Sequence, residues 1–414
     1  MRILFISNCY PPTAPGGYEQ LCAETAEELV VRGHEVAVLT TRTGRGQPEP
    51  GRGRLQVHRV LHPEVTGGVL HTACRLRHRA HLERETQWAV RAVVHTVQPQ
   101  VALVWGMWNV PRSVPALLES LLGDRLAYYL CDYWPSLPSA YEQKFTSPPA
   151  HKLSGLPKRL VAAPALAYLA RKRRPDLRLE RALCVSQAVR DGLLARGVPA
   201  ERARVVHNGI RIEDFPFRVR DFPDRPGTSL KLLYAGRLTP DKGVQTAIQA
   251  MALLARRGVQ AATLDLFGSG EPHYEQHLRD LVRQNGLAQR VAFQGSVPRH
   301  AMPDVLAAHH VLLFPSEWDE PLPRMPMEAM ATGLVVVGTT TGGTGELLVD
   351  GETALTFAPG DAAGLARQIE RLLADPALGA RLAQAGRRWV EQRFSFGRMV
   401  DQLEAVLHAM ARPH

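Results

Sequence analysis

The chain has 414 residues, 45% of them hydrophobic and 22% charged, with a formal net charge of +10. That length exceeds one ordinary core and points to two domains of about 200 residues each. The composition excludes a disordered or low-complexity chain, and the absence of a run of about 18 apolar residues excludes a transmembrane helix. Five scattered cysteines (Cys9, Cys22, Cys74, Cys131, Cys184) lack metal-ligand spacing and read as reduced thiols of a cytoplasmic protein. The positive balance favours an anionic partner such as a nucleotide, a phosphorylated lipid or a membrane surface. It equally fits plain arginine-rich usage, since 44 arginines accompany six lysines.

The opening MRILFISNCY lacks the three-part pattern of a secretion signal, and Arg2 to Ser7 reads as a buried parallel strand. A turn through Pro11-Pro12-Thr13-Ala14-Pro15-Gly16-Gly17 leads into an amphipathic helix, about Tyr18 to Arg32, and a strand at Val36 to Thr40. Gly17 then sits where strand one meets a helix N-terminus, a place that attracts phosphate. An ordinary glycine turn explains the same residues. Gly44 to Gly53 reads as a loop, Leu70 to Val97 as a basic helical stretch, and Gln100 to Trp105 and Leu126 to Leu130 as strands. The second of these ends at Cys131-Asp132-Tyr133-Trp134.

From Ala140 to Arg174 the chain is basic around the apolar LVAAPALAYLA, which fits either a membrane-surface helix or one packed in the core. Leu183 to Ser186 reads as a strand, followed by a helix to Ala195. The Pro-rich, charged stretch 212–228 reads as a linker between an N-terminal domain, 1–211, and a second series of strands and helices, 229–392. In that series strands fall at Leu232 to Ala235, Ala262 to Phe267, Val291 to Phe293, Val311 to Phe314 and Leu334 to Val337. Residues 393–414 hold a final helix. Alternation of strand and helix throughout gives an α/β class with parallel sheets.

Three groups of residues carry chemistry. Arg237 and Lys242 bracket the turn after a strand, where one bidentate and one point cation reach a single diphosphate. Glu320 lies on a Pro-rich loop and Glu328 on the short helix after it, amid Met325, Met327, Ala329 and Met330. One such carboxylate holds ribose hydroxyls and the other a sugar hydroxyl; solvated surface residues are the competing account. Gly268-Ser269-Gly270 and Gly342-Gly343-Thr344-Gly345-Glu346 offer backbone N–H groups at strand ends, or serve as structural turns.

GRLTPDKG, LFGSGE, VAFQGSV, FPSEWDEPLPRMPMEAMATG and TGGTGELLVDG, in that order, resemble the retaining glycosyltransferase family four, and ISNCYPP…GGYE, VSQAVRDGL and VVHNGI extend the resemblance over nearly the whole chain. It implies a GT-B fold, two Rossmann-like domains facing across a cleft, with the last helix crossing back to the N-terminal domain. It implies a UDP- or GDP-linked nucleotide-diphospho-sugar donor in the C-terminal domain and a glycan, lipid-linked or small-molecule acceptor in the other. By position, Arg237 and Lys242 neutralise the diphosphate, Glu328 binds ribose and Glu320 contacts the donor sugar. Gly17, Gly268 and Glu346 lie along the donor, and Asp132 is a sugar contact with catalytic effect.

No Asp-x-Asp metal motif is present and none is implied, so arginine and lysine stand in for a cation. The implied chemistry is front-side displacement with retention. Two departures stand out. Pro321-Leu322-Pro323 replaces a Gly-Phe-Gly, which removes an N–H and leaves Leu322 and Arg324 as the sugar-side neighbours; Cys131 replaces a histidine. A nucleotide-sugar epimerase and a donor-binding scaffold without turnover are the alternatives. Nucleic acid is excluded as a partner by the lack of interleaved aromatics. If the basic stretches 75–91 and 158–174 share a face, the chain docks on anionic lipid at the inner side of the membrane.

Overall fold

Short runs of branched apolar residues bury both faces of a strand and so demand helices on either side, the arrangement of parallel sheets. A computed structural model describes residues 1–12, 16–42, 53–147, 155–220, 222 and 228–411. The expected loop at Gly44 to Gly53 lies outside them except for Gly53, as do residues 13–15 of the first turn and 148–154 of the basic stretch. The described residues divide into two compact units. The first takes those of 1–185 and 189–206 and from 400 onward; the second takes 186–188 and 207–399.

The first unit is built on β1 (Arg2–Ser7), β2 (Glu35–Thr41), β3 (Leu55–Leu61), β4 (Val101–Val104), β5 (Leu126–Leu130), β6 (Ala182–Cys184) and β7 (Arg204–Val205). Its sheet order is β3-β2-β1-β4-β5-β6-β7. The second carries β8 (Leu230–Ala235), β9 (Ala262–Phe267), β10 (Val291–Gly295), β11 (Val311–Phe314), β12 (Val335–Gly338) and β13 (Leu355–Thr356), ordered β10-β9-β8-β11-β12-β13. Every ladder between these strands is parallel. Each unit is therefore Rossmann-like, with one reversal of strand order.

The structure corrects several expectations. β3 and the helix Ser113–Leu122 were not foreseen, and the stretch from Leu70 to Val97 is two helices, Val69–Arg77 and Arg79–Val97, broken at His78. The stretch 212–228, expected as a linker, is tied into the second unit wherever it is described. Phe222 joins that unit's core. The half-buried Arg220 guanidinium donates to the carbonyls of His309 at 2.5 Å, Thr332 at 2.7 Å and Leu306 at 3.0 Å. The apolar LVAAPALAYLA lies on the helix Gly155–Ala170 and packs Ala165 and Leu169 against Leu76, Tyr141 and Phe145, which favours the core-packing account. No helix among the described residues is long and apolar enough to cross a membrane.

Close backbone approach at the ends of the central strands needs glycine. Gly243 has φ +66°, and a Cβ there would collide with the Pro315 carbonyl oxygen; Gly268 has φ +136°, and its Cβ would collide with that of Gly236. Gly258 has a similar φ, +79°, but open space around it. We expect Gly258→Ala to cost about 1 kcal/mol, and Gly243→Ala about 2 kcal/mol more, in denaturant unfolding. Equal losses would show that the loop after β11 yields freely.

Candidate active site

In an open parallel sheet the crevice lies at the carboxyl ends of the strands, where strand order reverses. In the second unit that point falls between β8 and β11. The β8 end supplies the turn Pro240–Lys242, and Gly243 then starts the helix Val244–Arg256. The β11 end supplies residues 315–320. The Asp241 carbonyl accepts the N–H groups of Glu317 at 2.9 Å and Trp318 at 3.1 Å, which locks the two loops together.

Lys242 and Glu320 meet across this junction. Lys242 Nζ lies 2.5 Å from Glu320 Oε1, and Ser316 Oγ donates to the same oxygen at 2.7 Å. Both side chains are largely buried, at 16% and 8% exposure. Burial of the Tyr234 hydroxyl, reinforced by the nearby Glu320 charge, raises its pKa far above the ordinary range. The Glu320 carbonyl accepts the Gly343 N–H at 2.6 Å, so the β12 loop closes on the same residue.

Glu328 sits on the helix Arg324–Thr332 and is 2% exposed. Its Oε1 accepts from Arg299 Nη2 at 3.0 Å, and Arg324 Nε lies 3.8 Å away. The carboxylate expected to hold ribose is thus met by two arginines. Arg299, two residues past the sequence VAFQGSV, was not singled out by the sequence; only its place after β10 hinted at it. Arg324 is drawn to Glu328. Arg237 is exposed at the end of β8, and no ion pair ties its guanidinium among the described residues.

The unusual Pro321-Leu322-Pro323 segment is clamped through its carbonyls. Ser186 Oγ donates to Pro321 O at 2.6 Å, and Asn208 Nδ2 donates to Leu322 O at 3.0 Å. Leu322 itself is buried. Gly268 serves first as a steric requirement for the contact with Gly236. Glu346 is occupied by the protein: its carboxylate accepts from the N–H groups of Gln187 at 3.1 Å and Ala188 at 3.0 Å, and from His207 Nε2 at 2.9 Å. Burial disfavours its charge, but the His207 bond and the two N–H donors outweigh burial and hold it below the ordinary value.

In the first unit the reversal falls between β1 and β4. Gly17 begins the helix Gly17–Val31 and is exposed. Asn8, just past β1, was missed by the sequence reading. It is 1% exposed, its N–H donates to Gly106 O at 2.7 Å, and neither polar atom of its side chain has a partner. Burial raises the Asp132 carboxyl to about 6; the Trp134 N–H, 2.8 Å from Oδ1, opposes the rise and the Glu19 charge adds to it. Gly17 and Asp132 thus lie in the first unit, and the remaining expected residues in the second.

Two parallel-sheet Rossmann-like units are the fold this chain shares with solved glycosyltransferases. Residues 218–389 match the model of the family described as Glycosyl transferases group 1. Over 193 residues the chain is 34% identical to a glycogen synthase of Mycobacterium tuberculosis, covering 46% of this chain and 45% of that one. The chain spans about half the length of the curated relatives it matches. Among solved structures, Anabaena HepE in complex with UDP superposes with a TM-score of 0.69 at 22% identity, covering 99% of this chain and 100% of that one. The sucrose-phosphate synthase of Thermosynechococcus elongatus gives 0.73 at 21% identity, covering 99% and 98%.

The two shifted acids titrate with opposite effect. Glu346 is held below its ordinary 4.5, so its stabilisation is present above that pH and is lost as pH falls through the lower folded value. Glu346→Gln should cost about 1 to 2 kcal/mol at pH 7, a deficit that shrinks below pH 4.5 in acid unfolding. A deficit constant with pH would rule out the charge as its cause. Asp132 is raised from 3.8 to about 6, so its ionisation costs stability above that window. Asp132→Asn should gain about 1 to 3 kcal/mol at pH 8, with the gain gone by pH 3.8.

Proposed function

We propose that the chain is a retaining glycosyltransferase. It transfers a sugar from a UDP- or GDP-linked donor to a hydroxyl of a glycan, lipid-linked or small-molecule acceptor, without a metal ion. One observation carries the reading: a lysine facing a buried carboxylate at the reversal point of the second unit, within the segment that matches the group 1 model. The names of the relatives and the UDP held by the Anabaena protein support the donor class.

In this reading the diphosphate competes with Glu320 for Lys242. Arg237, exposed at the end of β8, adds a second cation, and together they offset charge growing on the leaving diphosphate. Glu328 takes the ribose hydroxyls while Arg299 shares or yields its place. Glu320, released from Lys242, faces the donor sugar and stabilises positive charge at the anomeric carbon. The bond from that carbon to the diphosphate breaks as the acceptor oxygen bonds to the same face and its hydroxyl proton passes to the departing diphosphate oxygen, so configuration is retained. Pro323 offers no N–H to the sugar, so sugar choice rests on side chains of this loop.

A panel of nucleotide sugars, screened by thermal shift and then by turnover, tests the class. A donor that stabilises the chain and is consumed is expected; release of nucleotide from none of them overturns the reading. With the active donor, Lys242→Ala should lower kcat/KM by about 10²- to 10³-fold. Glu328→Ala should act mainly on donor KM, and Glu320→Ala mainly on kcat. Equal losses of donor binding in both glutamate variants would contradict the assignment of roles.

A further inference from the structure

The first unit holds a cavity of about 220 Å³ that the donor chemistry leaves unused. Trp108 reaches it from the loop after β4, Trp134 from the loop after β5, and Tyr168 from the helix Gly155–Ala170. Arg112 and Ser113 line it where the helix Ser113–Leu122 begins.

Three donors among its lining side chains lack acceptors. Arg112 Nε, Ser113 Oγ and Trp134 Nε1 are each shielded from solvent, and each lacks a hydrogen-bond partner. Trp134 is only 6% exposed. No side chain caps the helix that Ser113 opens; the Val114 N–H bonds the Pro111 carbonyl and Pro115 has none, so the Ser113 N–H and the positive end of the helix dipole are what this turn adds to the set. Buried donors left without acceptors are costly, and such a cluster marks a place where a ligand supplies oxygens.

The acids that line the cavity are already engaged. Glu83 pairs with Arg79 at 3.0 Å. Glu142 caps the helix Ala140–Thr146 and pairs with Arg174. Glu64 accepts the Ala140 N–H at 2.8 Å. Among the described residues no carboxylate pairs with Arg112 or with Lys172, whose Nζ stands 5.6 Å from the Tyr168 ring centroid. Burial lowers the Arg112 guanidinium from its ordinary value, and the like charge of Arg174 adds to the fall. The Asp176 and Glu119 charges oppose that fall without pairing with the guanidinium and only partly offset it.

The mouth has a different character. Trp108 and Tyr168 are 43% and 39% exposed, large aromatic faces that water covers poorly. Pyranose rings present flat C–H faces that pack on such surfaces. The volume is below the roughly 300 Å³ of a drug-sized site, which suits one ring and one charged substituent.

We propose that this cavity binds an anionic sugar of the acceptor, its ring on Trp108 and Tyr168 and its phosphate or carboxylate on Arg112, Ser113 and the Trp134 N–H. Only the word acceptor rests on the glycosyltransferase reading; the binding site stands on its own. The test is titration of the full chain, with UDP saturating, followed by tryptophan fluorescence. The probes are glucose, glucuronate, glucose 1-phosphate and inorganic phosphate.

At least one anionic sugar should bind tenfold or more tightly than glucose, and the tighter of the two identifies the group as carboxylate or phosphate. Arg112→Gln should erase that preference while leaving UDP affinity, which reports the second unit, unchanged. Trp108→Ala, at an exposed position, should weaken glucose 1-phosphate and spare inorganic phosphate. No preference over glucose, or a preference that survives Arg112→Gln, overturns the proposal. Inorganic phosphate binding as tightly as the sugar phosphate overturns the sugar half. Failure of both UDP and GDP to bind, with the anionic preference intact, removes the donor reading and leaves this site standing.

Discussion

Strands that all run one way leave their carboxyl ends on a single edge, and only where strand order reverses do neighbouring loops part to make a crevice. Both units obey this constraint, and most of what is chemically distinctive in the second follows from it. At the β8–β11 reversal the loops do not simply part; they are bonded backbone to backbone through the Asp241 carbonyl. Gly243 lets the β8 turn lie against Pro315, and Gly268 lets the β9 loop lie against Gly236. The loops are thereby fixed before any ligand arrives, so a side chain at their tips is held in place by backbone rather than by its own rotamer preference.

The Lys242–Glu320 pair shows what that fixing allows. Stripping a lone ammonium or carboxylate of water costs several kcal/mol, and an opposite charge in good geometry returns most of it. The net stability of such a pair is therefore small, but an anion that takes Lys242 leaves Glu320 a buried charge that must find another partner. Glu328 with Arg299 repeats the arrangement a few residues away, with Arg324 as a further cation. Each of these two buried carboxylates has a cation beside it, so neither stands as a bare charge. Arg237, exposed, needs no such partner.

How much of this the sequence reveals depends on how local the cause is. β1, β5 and β11 stand out as runs of mostly apolar residues and β9 as a strict apolar–polar alternation through Asp265, and their bounds match those expected. β3 escapes because LQVHRVL lies at the sheet edge, half-buried, with Gln56, His58 and Arg59 breaking the run. The helix Ser113–Leu122 escapes because Pro115 looks like a breaker, though it sits in the first turn, where no intrahelical donor is lost. Glu320 and Lys242 are legible as residue types after strands. Their pairing is not, because it depends on β8 and β11 being neighbours, 78 positions apart in the chain.

Glu346 makes the same point from the other side. The GGTGE turn advertises a carboxylate at a strand end, but its partners Gln187, Ala188 and His207 come from far upstream. They turn an apparent ligand group into a cap. The cavity of the first unit has no motif at all: Arg112, Trp134 and Tyr168 come from three separate segments with no telling interval. The net charge of +10 fits an anionic partner and plain arginine-rich usage alike, and locates neither. Location comes only from pairing each acid with its base and finding which cations remain. Around the cavity Glu83, Glu142 and Glu64 are already committed, and the remainder is Arg112 and Lys172. A surface excess of arginine is ordinary, whereas a half-buried guanidinium beside unpaired hydroxyl and indole donors is not. The distinction rests on burial and partnership, and composition contains neither.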